Sequence, residues 1–164
     1  IKSHTTILDY FSYLENAYLL SLVPKFAWSQ KAQSLAPKKV YFTDIGLIRT
    51  AGVSFSENSG HILENFVFNE LRRKYGAFDD KQIFYYSNDT CECDFIVNPL
   101  FAPQCIQVCL DLNLDNTERE LNGLLAAMNF FKVREGLILT KDSHDLFVKE
   151  DKKITIMPAW DYFG

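Results

Sequence analysis

The sequence predicts an α/β fold: a helix, three strands, a second helix and a fourth strand, followed by a terminal strand. Three observations predict it. Residues 61–75 (HILENFVFNELRRKY) carry an apolar stripe at helical spacing and are followed by Gly76 at the position that closes helices. Residues 83–86, 91–97 and 104–110 are short apolar runs, the first two separated by the turn residues Ser87-Asn88-Asp89-Thr90 and the second ended by Asn98-Pro99. Residues 117–131 form a helix with Asn116 or Thr117 as cap and Glu118 and Glu120 in its first turn, and 136–140 is the strand after it. A fifth short strand is expected at 154–157, and 160–163 closes the chain.

The N-terminal part is organised differently. Residues 5–16 repeat Ile7, Tyr10, Phe11 and Leu14 at helical spacing, with Ser3 to Thr6 offering caps. Residues 18–23 and 39–42 are strand-like, and 24–36 is polar and small. Asp44-Ile45-Gly46-Leu47 reads as a helical turn and 52–60 as a polar, Ser-rich loop, so the chain divides into a segment 1–43, a connector 44–59 and a domain 60–164. The start at Ile1, without Met and directly into a helical pattern, reads as a piece of a longer protein.

Composition narrows the function classes. With 48% hydrophobic and 15% aromatic residues in 164, the chain has material for a packed core, and disorder is not expected. A net charge of −4 argues against a globally basic nucleic-acid binder, leaving only local clusters at Lys38-Lys39 and Arg72-Arg73-Lys74. No apolar run of transmembrane length and no signal peptide is present, and Cys91, Cys93, Cys105 and Cys109 do not space like a disulfide framework; a reducing cytoplasm is the expectation. Zinc is not expected either, because strand alternation puts Cys91 and Cys93 away from Cys105 and Cys109. His4, His61 and His144 form no metal or triad spacing.

The chemistry lies in the acids. Alternation places Glu92 and Asp94 on one face with Ile96, and Cys91, Cys93, Phe95 and Val97 on the other. Neighbouring carboxylates on a strand repel unless one is solvated, one is protonated or a cation lies between them. In the next strand Ile106, Val108 and Leu110 form a buried aliphatic face, so the face of Cys105, Gln107 and Cys109 is the one expected to meet Asp94. Glu64 borders the apolar stripe of its helix and can point toward the sheet; the bland alternative is a first-turn Glu favoured by the helix dipole. Glu64, Glu92, Asp94 and Gln107 are thus the candidate ligands of a hard cation, Mg²⁺ or Mn²⁺. Such an ion neutralises phosphate charge and activates water, and a nearby lysine stabilises the developing charge. Gln107 is a neutral oxygen ligand, and Cys109 brings no positive charge.

The segments YFTDIGLIRTAG (41–52), GHILENFVFNELRRKYG (60–76) and IFYYSNDTCECDFIV (83–97) with CIQV (105–108) resemble the uncharacterised C-terminal domain that follows a P-loop AAA-type ATPase module in many bacterial and archaeal proteins. TERELNGLLAAM (117–128) and ITIMPAW (154–160) fit it too. The resemblance implies a restriction-endonuclease-like, PD-(D/E)XK αβββαβ core with a mixed sheet, preceded by a winged helix that is partial here. It implies catalytic roles for Glu64 and Asp94, with Glu92 the acid two residues ahead. It puts Gln107 at the second acid and Cys109 at the lysine, both departures. The chain holds no Walker-type sequence, so ATP binding would lie in an N-terminal module, the implied partner. Hydrolysis is expected to be weak or lost, leaving DNA or protein binding and regulation. The alternative is an active metal-dependent DNA nuclease that recruits Glu92 or Asp111 and a lysine from another segment. For DNA, Lys2, Ser3, His4, Thr5 and Thr6 stand where a recognition helix begins, and Arg72, Arg73 and Lys74 are phosphate contacts if they border a groove.

Overall fold

A helix and two antiparallel strands open the described chain, and the strands are bound to its helical and sheet core by hydrogen bonds. The structure, a computed structural model, describes residues 4–50, 59–75, 82–149 and 151–164, with backbone only for 4, 5 and 48–50. Helix α1 (His4–Asn16) ends where Tyr18 adopts a φ of 58°. Strands β1 (Leu20–Pro24) and β2 (Lys38–Phe42) pair from Leu20 opposite Phe42 to Pro24 opposite Lys38. The stretch expected to be a loop holds a short helix between them, α2 (Gln30–Leu35), capped by the Ser29 hydroxyl, which accepts from the Ala32 N–H. Helix α3 (Ile45–Thr50) follows; the polar loop and Gly76 fall outside the described residues.

The rest of the chain builds a mixed sheet between two helices. Helix α4 (Ser59–Tyr75) leads to β3 (Ile83–Ser87), β4 (Glu92–Val97) and β5 (Gln104–Val108), then α5 (Thr117–Phe131) and β6 (Glu135–Thr140). Strands β7 (Asp145–Lys149) and β8 (Lys152–Pro158) and the helix α6 (Ala159–Phe163) end it. The sheet order is β3-β4-β5-β6-β8-β7; β5-β6 and β6-β8 are parallel, the remaining pairs antiparallel. The expected α-β-β-β-α-β order is present. Strand β7, whose exposed Leu146 and Val148 give no core signature, is not among the expected strands, and the closing residues 159–163 coil into α6 after Pro158.

Both sheet faces are buried, which is why the strands read as apolar runs instead of clean alternations. On one face Val67, Phe68 and Leu71 of α4 pack on Phe95, Val97, Ile106, Val108 and Leu139. On the other, Leu124, Ala127 and Met128 of α5 pack on Cys93, Ile96, Cys105, Ile138 and Ile154. The cluster on the α4 side also takes Val23 of β1 and Tyr41 of β2, and the opposite one takes Phe26. The hairpin therefore shares the core of the sheet.

Polar contacts fix its place. Asn65 on α4 grips Phe42 at both ends, accepting from its N–H at 2.8 Å and donating to its C=O at 2.8 Å. Phe26 N–H donates to Tyr85 C=O at 2.8 Å, the Tyr85 hydroxyl to Pro37 C=O at 2.7 Å, and Arg72 to Ser21 Oγ at 2.8 Å. Alternation along β2 then turns Lys39 and the buried Tyr41 inward, with Lys38 and Val40 exposed.

A bulge re-phases β4. Phe84 pairs with Ile96 but Tyr86 pairs with Cys93, so two steps on β3 face three on β4. Asp94 and Phe95 consequently both turn toward α4, while Cys93 and Ile96 turn toward α5. The expected alternation, with Cys93 and Phe95 on one face and Asp94 and Ile96 on the other, is overturned by this one extra residue.

Candidate functional site

Glu64 of α4 and Glu92 and Asp94 of β4 meet around a single ammonium group that β2 delivers. Lys39 Nζ lies 3.0 Å from Glu64 Oε1, 2.8 Å from Glu92 Oε1 and 2.8 Å from Asp94 Oδ1. Glu64 starts the second turn of α4 and also accepts from the Tyr41 hydroxyl at 2.5 Å; the first-turn reading does not hold, since the helix begins at Ser59. Asp94 spends its other oxygen on the Val108 N–H at 2.9 Å. His61, largely exposed, stands 3.6 Å from Glu64 Oε2.

Gln107 does not join this cage. Its side chain is on the α5 face, where Nε2 donates to Glu120 at 2.6 Å and Oε1 accepts from the backbone N–H of Asp94. Glu120, buried and paired to the exposed Arg119, holds that amide in place. Alternation and the re-phasing of β4 explain this: Gln107 lines the same cavity as Glu64 and Asp94, as expected, but its amide is turned to Glu120 and does not reach the three acids around Lys39. Cys109 is on the α5 side as well, donating from Sγ to Asp111 C=O at 3.2 Å.

Charge in the cage is unbalanced, with three carboxylates against one ammonium. Burial works against the Lys39 ammonium, but Asp94 and Glu64 outweigh it and hold its pKa above the ordinary lysine value. For Asp94, burial and then repulsion from Glu64 push the pKa up to about 7, against the pull of Lys39 and the Val108 N–H. Lys39 thus stays charged, and the uncompensated negative charge falls on Asp94, the most enclosed acid. Burial and Glu64 also raise Tyr41, keeping its phenol a donor.

The cage forms the floor of a cavity of ≈ 1370 Å³ whose other wall carries Asn116, Arg119 and Asp111. Oxygens converging within 3.0 Å of one point are the donor chemistry of a hard cation, yet that point is a nitrogen. Among the described residues no group of three or more His, Cys, Asp or Glu is arranged to hold a metal ion. The residues as placed fit an ammonium, not a divalent cation. The cysteines share a face more than alternation suggests, since Cys93, Cys105 and Cys109 all pack on the α5 side, but burial pushes Cys105 up to about 12 and Cys109 up to about 11, so they are protonated thiols.

The basic candidates lie apart. Arg72 to Lys74 end α4, eight to ten residues beyond Glu64, about 12–15 Å along the axis. Arg72 binds Ser21, Arg73 pairs with Glu70 at 2.7 Å, and Lys74 sits 4.2 Å over the Tyr162 ring. Lys2 and Ser3 lie outside the described residues, as do the side chains of His4 and Thr5. Sequence reading noted Lys39 only as half of a basic pair. The available signal was its spacing: two residues before Tyr41, it shares that tyrosine's face.

Two domain families cover the chain: Domain of unknown function (DUF8612) matches residues 2–58 and Domain of unknown function (DUF4143) matches residues 59–162. The chain is 34% identical to the uncharacterized protein MJ1544 of Methanocaldococcus jannaschii over 98% of its own length and 36% of that protein. It is 30% identical to an uncharacterized protein of Haemophilus influenzae over 80% of its length and 31% of that protein. The chain thus spans about a third of the length of these relatives. No solved structure matches it. No helix among the described residues is long and apolar enough to cross a membrane. The acids Glu64, Glu92 and Asp94 lie in the α/β part matched by the DUF4143 family, and Lys39 reaches them from the segment before it; the chain belongs to the DUF4143 family, a prokaryotic domain family of unknown function.

Proposed function

We propose that the chain is a restriction-endonuclease-like, PD-(D/E)XK module of a larger AAA-type ATPase, one that binds and regulates without hydrolysing phosphodiesters. The α-β-β-β-α-β order and the meeting of a helix Glu with a strand Asp support the fold assignment. The loss of hydrolysis rests on one observation: the place between Glu64, Glu92 and Asp94 is filled by the Lys39 ammonium. Gln107 and Cys109 do not help, because both are turned to the α5 side. With three carboxylates and one ammonium, the groove floor is formally −2 and repels a phosphate backbone, which favours the protein's own ATPase module over DNA as the partner. A DNA-binding assay with a salt series checks that choice: a steep salt dependence would put DNA back.

The same lysine favours a second reading. An active nuclease needs an ammonium beside its acids, and Lys39 from β2 supplies one next to Glu64 and Asp94, whereas Cys109, just past β5, is turned to the α5 side. Incubation with duplex and single-stranded DNA in Mg²⁺ or Mn²⁺ separates the two. The inert reading expects no cleavage above background; cleavage abolished by both Lys39→Met and Asp94→Ala establishes the nuclease.

A further inference from the structure

We infer that Lys39 is the resident cation of the carboxylate cage, so that a divalent ion entering the cage must expel Lys39 and release β2 from α4 and β4. This deepens, and rests on, the reading of the cage as closed on its own ammonium.

Two observations carry it. The ammonium touches all three acids at once, at 2.8–3.0 Å, which leaves no shared point for a second cation. A dication brought within contact distance of the same oxygens would be repelled strongly by a retained ammonium, so the two cations exclude each other. Second, Lys39 is part of the seam that holds the hairpin. Beside it the β2 seam has the Tyr41–Glu64 bond and the Asn65 grip on Phe42, and Glu64 serves Lys39 and Tyr41 with the same oxygen. Pulling Glu64 toward a metal removes both partners of β2 together, while Tyr41 stacked on Phe68 keeps the opening local. Reciprocity then requires that whatever holds β2 down weakens cation binding, and whatever binds the cage loosens β2.

The test is hydrogen exchange and Mn²⁺ titration on the full chain, wild type and Lys39→Met. Lys39→Met is expected to bind Mn²⁺ at least about tenfold more tightly than wild type, and its amides over 38–42 to exchange at least about tenfold faster without metal, a coupling within the usual allosteric range. If Lys39→Met does not fold, Lys39→Gln, a neutral donor that still reaches the carboxylates, takes its place in the same comparison. Two results overturn the inference: a neutral variant that binds Mn²⁺ no better than wild type, or Mn²⁺ bound to wild type with 38–42 as protected as before. DNA cleavage by the wild type strikes the inert reading alone; unchanged exchange and affinity strike the coupling alone.

Discussion

Asp94 carries the least favourable electrostatics of the site, and its proton is a measurable quantity. In the unfolded chain it ionises near the ordinary aspartate value of about 3.9. In the fold burial and Glu64 raise it to about 7. The folded state therefore binds more protons between these values. The stabilisation is complete below the unfolded value and is lost as pH rises through about 7. Lys39 and Tyr41, both raised in the fold, stay protonated across this window, so Asp94 is the cage group whose shift sets the slope. Urea unfolding is expected to show stability falling from about pH 4 to about pH 7, with a flatter profile in Asp94→Asn. A second residue-scale expectation concerns Tyr41→Phe. The ring stack on Phe68 remains, but Glu64 loses a donor at 2.5 Å, and the loss should be about 1–3 kcal/mol in the same measurement. Glu64 can be read from its local spacing against the apolar stripe of its helix, whereas the face of Asp94 depends on the bulge in β4. Lys39 is not legible in sequence, since its distance from Asp94, |i−j| = 55, hides a 2.8 Å contact.

Helix α5 lies against β4 and β5 without clearance. A Cβ on Gly123 would come within 2.1 Å of the backbone oxygen of Glu92, which cannot yield without moving β4. A Cβ on Gly136 would instead meet Met128 Sδ at 2.5 Å, the far part of a flexible side chain, and Leu124 at 3.2 Å. Gly123→Ala should therefore cost at least about 1–3 kcal/mol by overpacking and Gly136→Ala clearly less, read from urea midpoints at constant m. The elements themselves were largely visible from their periodicity: α1, α4, α5 and strands β1 to β6 and β8 stand near their expected positions. What failed did so for identifiable reasons. β7 has exposed Leu146 and Val148 and only the half-buried Phe147 on the core, and the bulge in β4 depends on pairing with β3, which no local pattern in ECDFIV records.

At the scale of the molecule, the hairpin and the sheet share one aromatic and aliphatic interior. Phe26, just past β1, packs at 5.6 Å from Phe84 and 4.9 Å from Phe131, on the face opposite to Val23 and Tyr41. The hairpin thus clasps the edge strand β3 from both sides. Phe26→Ala should cost about 3–5 kcal/mol and lower a single unfolding transition, the same by circular dichroism and by fluorescence of Trp28 and Trp160. Two separate transitions would mean that the segments fold independently. Composition indicated an α/β chain with an ample core, but a boundary drawn from polar loops says nothing about which side chains cross it.

The two families meet between residues 58 and 59, yet Lys39 belongs to one and Glu64, Glu92 and Asp94 to the other. Recombination at that junction would hand the later segment to a new neighbour with three acids and no counter-charge. Inheritance of the two segments is therefore constrained: a lineage that exchanges the first must either bring a cation with it or lose an acid, and paired changes at position 39 and at these acids are the trace such an exchange would leave.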